Sequence, residues 1–577
     1  MTALIAPPAV AMREPLAPRR TVPGRGWGVA LFVALSVLYF AVGYVLIMRY
    51  NLIEGDNASR VANAGFVLMS RDPHLSAMGF VWNPLPSLVE MVILLFERWW
   101  PALRTHALAG VVQSALFMAG AGMMVRRIAL DRGVGSGWRG MAVMAFAAQP
   151  MIILYGVSGL SEAAEIFCVL WCARQLLRWT DERRIGDLGL AGLALGLGYL
   201  ARYEMAPAAV GVAIFVAALA AKRAAPETRT PTAVAHVTVV LFPIVVVGAV
   251  WAIAGWVVNH ELFATLSSQY GNTSQVADAV KQRFLGYDSA SKWLVISARL
   301  FGMQPFVGIA AAAAVGYAAL ARKPAALVPI VTFGPVLVFA AWGQYTVTTF
   351  GWFRFYVLAI PLVVSVALAC WTPTVGPRRP WLAVTPVNRC AAVLLCLSIL
   401  VGFPVTVSAM LNDHINKSDK KPFKSDVNSL LHPDRFPAQE QPNRQMMVDD
   451  RLLADYLDRQ RLYDGAVLMD TAYTWGIWLS SDNPKQFIIT SDYDFKAALN
   501  RPWKYRVKYI LVSNPSFNNA DAVNLRYPSM WDAGAGMAKL VYSIYGPTGD
   551  ERFRLYEVTG PPKAPAVLNS TATALPR

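Results

Sequence analysis

Four short polar elements interrupt an otherwise apolar chain, and each carries side chains capable of chemistry. The first, Glu54-Gly55-Asp56-Asn57-Ala58-Ser59-Arg60, follows an apolar run that ends near residue 48. Its acid stands at the water–lipid boundary, where a base can meet a polar acceptor and a lipid-borne donor together. The same residues also read as the start of a solvated loop. The second, Ser158-Gly159-Leu160-Ser161-Glu162, joins two apolar runs so tightly that Glu162 must lie at or inside that boundary. A charge at membrane depth costs roughly 2.5–3.5 kcal/mol on insertion scales and usually marks a function. An acid favoured by a helix N-terminus is the other reading. The third, Arg202-Tyr203-Glu204, has no polar loop around it. Its arginine can bind a phosphate bidentately or balance the nearby glutamate. The fourth places Arg354 in Trp352-Phe353-Arg354-Phe355-Tyr356, where snorkelling beside interfacial aromatics is the alternative. Together, two acids and two arginines line one membrane boundary. Sugar transfer from a lipid phosphate needs such a set: a carboxylate to take a hydroxyl proton, and cations to stabilise the charge on the departing phosphate.

Other signals are weaker. Asp492-Tyr493-Asp494 matches the D-x-D pattern of nucleotide-sugar enzymes, but it follows a strand and opens a helix, which predicts a capping role. His74 and His260 are the candidate metal ligands, joined by Glu54 or Asp72. The Lys417–Lys424 cluster reads as a solvated juxtamembrane segment. The five cysteines, Cys168, Cys172, Cys370, Cys390 and Cys396, lie in or beside apolar segments and read as buried small hydrophobes. No Gly-rich phosphate loop, H-E-x-x-H or G-x-S-x-G motif occurs.

The elements that must position these residues are membrane helices. Only 15% of the 577 residues are charged, against about 25% in soluble proteins. A bilayer core about 30 Å thick needs roughly 20 apolar residues per helix. Eleven spans are expected, near 27–48, 107–125, 140–157, 160–177, 188–203, 205–221, 235–258, 302–321, 326–343, 355–372 and 391–409. Arginines and lysines cluster in alternate links: Arg126, Arg127, Arg132 and Arg139; Arg174, Arg178, Arg183 and Arg184; Lys222, Arg223 and Arg229; Arg322 and Lys323; Arg378, Arg379 and Arg389. Nearly all of the net charge of +16 falls in this part of the chain. A basic excess confined to short links argues topology, not nucleic-acid binding.

The positive-inside rule puts the N-terminus in the cytoplasm, and an odd span count puts the tail outside. The expected organisation is a disordered cytoplasmic segment at 1–26 and a transmembrane domain at 27–410 with long outer loops at 49–106 and 259–301. A linker at 411–447, an outer α/β domain at 448–560 and a disordered end at 561–577 follow. Leu85–Trp100 reads as an interfacial amphipathic stretch. In the tail, Val448–Arg461 reads as a helix. Ala466–Met469, Gln486–Thr490, Lys508–Ser513, Leu540–Tyr545 and Phe553–Val558 read as strands.

At these residues the sequence resembles the GT-C superfamily of membrane glycosyltransferases, and within it the lipid A aminoarabinose transferase and protein O-mannosyltransferase group. The resemblance rests on Gly55–Arg60, Ser70-Arg71-Asp72-Pro73-His74, Phe80–Ser87, Tyr155-Gly156 leading to Ser161-Glu162, and Gly192–Pro207. It covers roughly residues 27–260. Beyond that it rests on span number and Arg354-Phe355-Tyr356. It implies Asp56 as catalytic base or acceptor-binding acid and Glu162 as a second acid. It implies Arg202 and Arg354, with Arg60, as donor-phosphate ligands, and Glu204, Tyr203, Asn83 and Tyr356 as substrate-binding residues. Many protein O-mannosyltransferases carry two adjacent acids in the first loop, whereas the second position here is Asn57.

The expected activity is inverting transfer of a sugar from a polyprenyl-phosphate donor to a glycolipid, glycan or protein acceptor on the outer face of the inner membrane. No cofactor is required, a divalent metal is left open, and no nucleic acid is involved. Two competing readings are a lipid or sugar transporter, or flippase, and a non-catalytic scaffold. A transporter should show repeat symmetry, which the sequence lacks.

Overall fold

The computed structural model describes residues 25–268, 270–281, 291–372, 385–416, 423–437, 440–441, 444–445, 447–516, 520–546 and 549–562. The expected disorder at the two ends, Arg378 and Arg379, and most of the Lys417–Lys424 cluster lie outside them.

The chain opens with an apolar helix, α1 (Arg25–Tyr50), and the first loop that follows is largely helical. It contains α2 (Gly55–Met69), α3 (Leu85–Leu94) and α4 (Ala102–Thr105). α5 (Leu108–Asp131) then returns through the core, followed by α6 (Ser136–Ala147) and α7 (Pro150–Val157). Gln149 ends the first of these and caps the second, its side chain accepting from Met151 N at 2.8 Å, with Pro150 at the first helical position. The pair is bent by 63° there. α8 (Glu162–Glu182), α9 (Ile185–Ala201), α10 (Met205–Arg223) and α11 (Arg229–Asn259) complete the first half. Neighbouring helices run α1–α5–α8–α9–α11–α10 across this layer.

Two short helices, α12 (Ala264–Ser267) and α13 (Asn272–Lys281), lead to α14 (Lys292–Met303) and α15 (Val307–Leu320), which are bent by 81°. α16 (Val328–Thr346), α17 (Ala359–Cys370), α18 (Pro386–Leu400) and α19 (Gly402–Met410) follow.

Seven helices among the described residues are long and apolar enough to cross a membrane, or up to nine when each bent pair is one span. The expected eleven is therefore not matched. The segment expected at 160–177 is α8, whose acids and arginines keep it out of that set, and α9 is a shorter apolar helix. The second long loop, expected at 259–301, is helical at its end. Ile296, Arg299 and Met303 are buried and make 292–303 a packed helix. Cys168, Cys172 and Cys370 are buried, but Cys390 is exposed on the flank of α18.

The C-terminal unit begins with α20 (Phe423–Leu431) and α21 (Val448–Arg459). Its strands are β1 (Val467–Leu468), β2 (Phe487–Ile488), β3 (Tyr509–Ser513), β4 (Ala538–Tyr545) and β5 (Glu551–Val558). α22 (Thr471–Ser480) follows β1, α23 (Phe495–Asn500) follows β2, and α24 (Ala522–Arg526) follows β3. The sheet order is β2-β1-β3-β5-β4. β1 is parallel to β2 and β3, and β5 is antiparallel to β3 and β4.

The central strands are apolar on both faces, as strands covered on both sides must be. Leu468, Ile488, Ile510 and Val512 pack on Phe495, Leu499, Val523 and Tyr527. Val467, Met469, Phe487 and Leu511 share a second core with α21, α22 and the first loop, including Val61, Phe66 and Leu103. The C-terminal unit is thus seated on the first loop, on the side of the bundle where α1 ends. Trp478 meets Phe66 edge-on at 4.8 Å. Arg104 caps the end of α22, donating to the carbonyls of Leu479 at 2.5 Å and Ser481 at 2.9 Å. Arg444 and Arg451 reach the end of α1 at Tyr50 O and Asn51 Oδ1.

Trp478 is fully buried, so Trp478→Ala should remove about 3–5 kcal/mol of stability. Thermal unfolding of the detergent-solubilised protein measures this. The same variant should release the C-terminal unit faster under limited proteolysis.

Candidate active site

Helix starts and helix breaks bring the site together. Asp56 and Arg60 lie on the first two turns of α2, and Ser161 and Glu162 stand where α8 begins. Arg202 interrupts the chain between α9 and α10 with extended backbone, and Pro207 follows in the first turn of α10. Arg354 lies in a 3₁₀ turn, Phe353–Tyr356, immediately before α17. Gly159 enables the tight link before Ser161. Its φ of +77° is open to glycine, and a Cβ there would strike the Asn57 side chain.

The charges form one connected chain. Asp56 Oδ2 accepts from Arg354 Nη2 at 2.8 Å. Arg354 Nε stands 3.5 Å from Glu162 Oε1, and the same oxygen accepts from Arg202 Nη1 at 2.9 Å. Arg202 also meets Glu165 Oε2 at 3.3 Å and Glu204 Oε1 at 2.6 Å. Arg60 donates to the Asp56 carbonyl at 3.2 Å and to Ser161 Oγ at 3.3 Å. Aromatic faces support the guanidinium groups. Arg60 lies 4.4 Å from the Trp82 ring centre, Arg354 4.1 Å from that of Trp352, and Arg202 5.4 Å from that of Phe355.

Accessibility separates the two expected acids. The Asp56 side chain is 22% exposed and that of Glu162 only 2%. Asp56 is therefore the carboxylate an incoming molecule can touch. Burial works to raise its pKa, but Arg354, Arg60 and Arg202 outweigh that and hold it below the ordinary carboxylate value. It stays ionised through neutral pH and is free to accept a proton.

The other expected residues divide. Glu204 joins the chain through Arg202. Tyr203 is half-buried with its ring edge-on to Phe339. Asn83 is buried and its amide donates to the Tyr199 carbonyl at 2.6 Å, tying the first loop to α9. Tyr356 is buried and its hydroxyl donates to Gln344 at 2.6 Å. His74 stacks on Tyr493 at 4.1 Å, with Nδ1 on the Asp72 carbonyl, while His260 is exposed just after α11. The two do not form a ligand group, and no cluster of three or more His, Cys, Asp or Glu with metal-holding geometry occurs among the described residues.

The capping role expected of Asp492 and Asp494 is replaced by another. Both carboxylates bind Arg71 of the first loop, and Asp72 accepts from Tyr493 N at 3.1 Å. Asp494 makes no side-chain cap on α23. The D-x-D element is a clamp between the C-terminal unit and the first loop.

Two acids escaped the sequence reading. Glu165 lies three residues after Glu162 on the same face of an apolar helix, a spacing that signals the pair. Glu90 is the sole charge in the apolar run Leu85–Phe96, and it is fully buried on α3.

Residues 136–251 match the family described as dolichyl-phosphate-mannose-protein mannosyltransferase. This stretch runs from α6 into α11 and contains Glu162, Glu165, Arg202 and Glu204. The chain is similar to the GT-C membrane glycosyltransferases. Among solved structures, one similar chain is ArnT from Cupriavidus metallidurans in the apo state, at 14% identity and TM-score 0.42, covering 92% of this chain and 98% of that one. Another is the oligosaccharyltransferase of Archaeoglobus fulgidus in complex with Zn and sulfate, at 12% identity and TM-score 0.41, covering 90% and 72%. A third is the archaeal oligosaccharyltransferase AglB of the same organism with an inhibitory peptide and a dolichol-phosphate, at 11% identity and TM-score 0.35, covering 91% and 74%. No curated protein matches by sequence.

Removing Arg202 leaves Glu165 and Glu204 without their cation and Glu162 with Arg354 alone. Arg202→Ala should cost about 3–5 kcal/mol, read as a lowered thermal midpoint. Adding Glu165→Gln and Glu204→Gln to that variant should restore part of the loss.

Proposed function

We propose that the protein is an inverting glycosyltransferase that moves a sugar from a polyprenyl-phosphate donor to an acceptor on the outer face of the membrane. The observation that carries this reading is the Asp56–Arg354–Glu162–Arg202 chain. It sets an accessible carboxylate against an aromatic-backed guanidinium at one end of membrane-crossing helices. The match of residues 136–251 to a family of lipid-phosphate-dependent transferases supports it.

In this reading the acceptor oxygen attacks the anomeric carbon, and its proton passes to Asp56. The bond between that carbon and the phosphate oxygen breaks, and its electron pair leaves with the phosphate. Arg354 and Arg60 flank Asp56 and stabilise the charge that develops there. Arg202 takes a different part from that of a primary phosphate ligand. Three carboxylates enclose it, so a phosphate approaching it meets like charge on every side. It positions Glu162, which in turn orients Arg354. No step requires a metal, and a divalent ion at the donor phosphate is compatible with the scheme.

Orientation follows from charge. The basic links after α5, α8 and α10 follow the ends of these helices away from the site, which supports a cytoplasmic N-terminus and a site on the outer face. The C-terminal unit then stands outside with the first loop on which it is seated. The acceptor class, whether glycolipid, glycan or peptide, is left to experiment.

The test is transfer of radiolabelled sugar from a panel of polyprenyl-phosphate donors to membrane acceptors. Asp56→Asn should lower kcat by about 10²–10⁴-fold in a protein that remains folded, with a lowered thermal midpoint because Arg354 keeps Glu162 but loses the Asp56 carboxylate. Equal activity in the two proteins would remove Asp56 as the base. Activity in neither, across the panel, would remove the transferase reading. Because the Asp56 pKa is held down, wild-type kcat/KM should not fall on its account between neutral pH and the ordinary carboxylate range. A loss on lowering the pH that is centred well above that range would contradict the assignment.

A further inference from the structure

The buried acid on α3 lies one layer behind the site and belongs to no step above. Glu90 has no exposed surface, and neither carboxylate oxygen has a hydrogen-bond partner among the described residues. An ionised carboxylate in that position would be stripped of water without compensation.

Its surroundings show what it faces. Asn57, next to Asp56 on α2, is also fully buried, and its amide nitrogen donates to the Ala107 carbonyl at 3.3 Å. That bond turns Asn57 Oδ1 the other way, and this oxygen too has no donor among the described residues. Both oxygens border Gly110 of α5. A Cβ on Gly110 would collide with Asn57 Oδ1 and touch Glu90 Oε1 at 3.4 Å. Two acceptors therefore face each other across the space that a glycine leaves open, close enough for one hydrogen bond or one bridging water. Two acceptors cannot bond unless one of them carries a proton. Asn57 has none to offer from its oxygen, and Glu90 can hold one.

The charges around Glu90 do not supply an alternative partner. Four helices pack against α3: α2, α4, α5 and α9. From α2 comes Arg60, the charge that acts on Glu90; its Nη1 and Nη2 are engaged by the Asp56 carbonyl and Ser161 Oγ, and its Nε, buried without a partner among the described residues, makes no hydrogen bond to Glu90. From α4 comes Arg104, engaged by Glu97 and the carbonyls that end α22. α5 faces it with Gly110, and α9, whose Tyr199 ring lies against Gly248 of α11, carries its one charge, Asp187, at the other end of the helix, paired with Arg178.

We propose that Glu90 stands in the folded protein as a neutral carboxyl whose O–H donates to Asn57 Oδ1, directly or through one water, and is thereby a positioning residue for Asp56. Asn57 is the neighbour of Asp56 in the first turn of α2. Ser87 Oγ, one turn before Glu90, donates to the Arg60 carbonyl at 3.1 Å. The face of α3 thus grips the turn of α2 that carries both Asp56 and Arg60. This assignment rests on the reading of Asp56 as the base. Burial, opposed only by Arg60, lifts the Glu90 carboxyl from its ordinary 4.5 to about 8. Its folded pKa exceeds its unfolded one, so the stability it adds is full below the unfolded value and is lost as pH rises through about 8.

The experiment has an arm that does not depend on transfer. Infrared spectra of the full-length protein at neutral pH, wild type against Glu90→Gln, should show the carbonyl band of a protonated carboxyl in the wild type and its loss in the variant. Absence of that difference overturns the proposal whatever the enzyme does. Asn57→Ala, which keeps Glu90 and removes its acceptor, should shift the band. An unmoved band overturns the pairing, and this variant serves if Glu90→Gln fails to fold. In the transfer assay the wild type should decline above about pH 8, and Glu90→Gln should keep the wild-type rate within about threefold at neutral pH and lack that decline. A tenfold loss at all pH values, or an unchanged alkaline decline, overturns the proposal. Failure of the transferase reading itself would appear as no transfer by the wild type, with the infrared arm still deciding the state of Glu90.

Discussion

A charge that leaves water at the end of a membrane helix must find its counter-charge there, and this requirement ties the molecule together. Asp56 and Arg354 are 298 residues apart in sequence and 2.8 Å apart in space. Neither could sit where it does alone, since an isolated buried ion costs far more than a helix end can return. Glu162 and Arg202 extend the same bargain to α8 and α9, and Glu204 to the start of α10. The helix breaks follow from it. Arg202 lies in extended backbone between two helices, from where its guanidinium reaches two carboxylates of α8 and the one at the start of α10. The network fixes where α2, α8, α10 and the turn before α17 must meet, and the apolar cores fill in around that point.

Such a network is well suited to chemistry because it is over-determined at one end and open at the other. Glu162, Glu165 and Glu204 enclose Arg202 and are shielded, whereas Asp56 keeps part of its surface. The rigid part holds the guanidinium groups without help from the ligand, so little reorganisation is needed when charge develops. The C-terminal unit extends the same support. Its core is continuous with that of the first loop, and Arg71, Arg104, Arg444 and Arg451 bind across the junction. The loop that carries Asp56 is therefore backed on one side by the bundle and on the other by the sheet domain.

Much of this was legible before any coordinates. A charge in an apolar stretch is conspicuous, and Asp56, Glu162, Arg202 and Arg354 stand out for that reason. The strands of the C-terminal unit were visible as short β-branched and aromatic runs, each displaced by only one or two residues at its ends. What stayed hidden depends on three dimensions. Glu165 lay inside a segment read as an ordinary span, and its alignment with Glu162 needed the helix to be taken seriously as a charged one. Glu90 lay in a stretch read as interfacial, where an acid would face water, but the α3 face that carries it turns inward onto Gly110. Asp492 and Asp494 looked like a helix cap because their true partner, Arg71, is about 420 residues upstream. Eleven spans are not reached because α8 is charged and α9 is short for a crossing, while each bent pair, at Gln149–Pro150 and before Val307, counts only if it is a single crossing.

The central claim is that this end of the bundle receives a lipid-borne phosphate beside Asp56. The most direct measurement is a structure of the protein with a polyprenyl phosphate bound in lipid nanodiscs. The expected result places the phosphate against Arg354 and Arg60, with the Asp56 carboxylate on the side where the sugar would stand and the polyprenyl chain leaving between helices into the lipid. A phosphate bound at the opposite, arginine-rich end of the bundle, or held by Arg202 with Asp56 turned away from it, would contradict the claim.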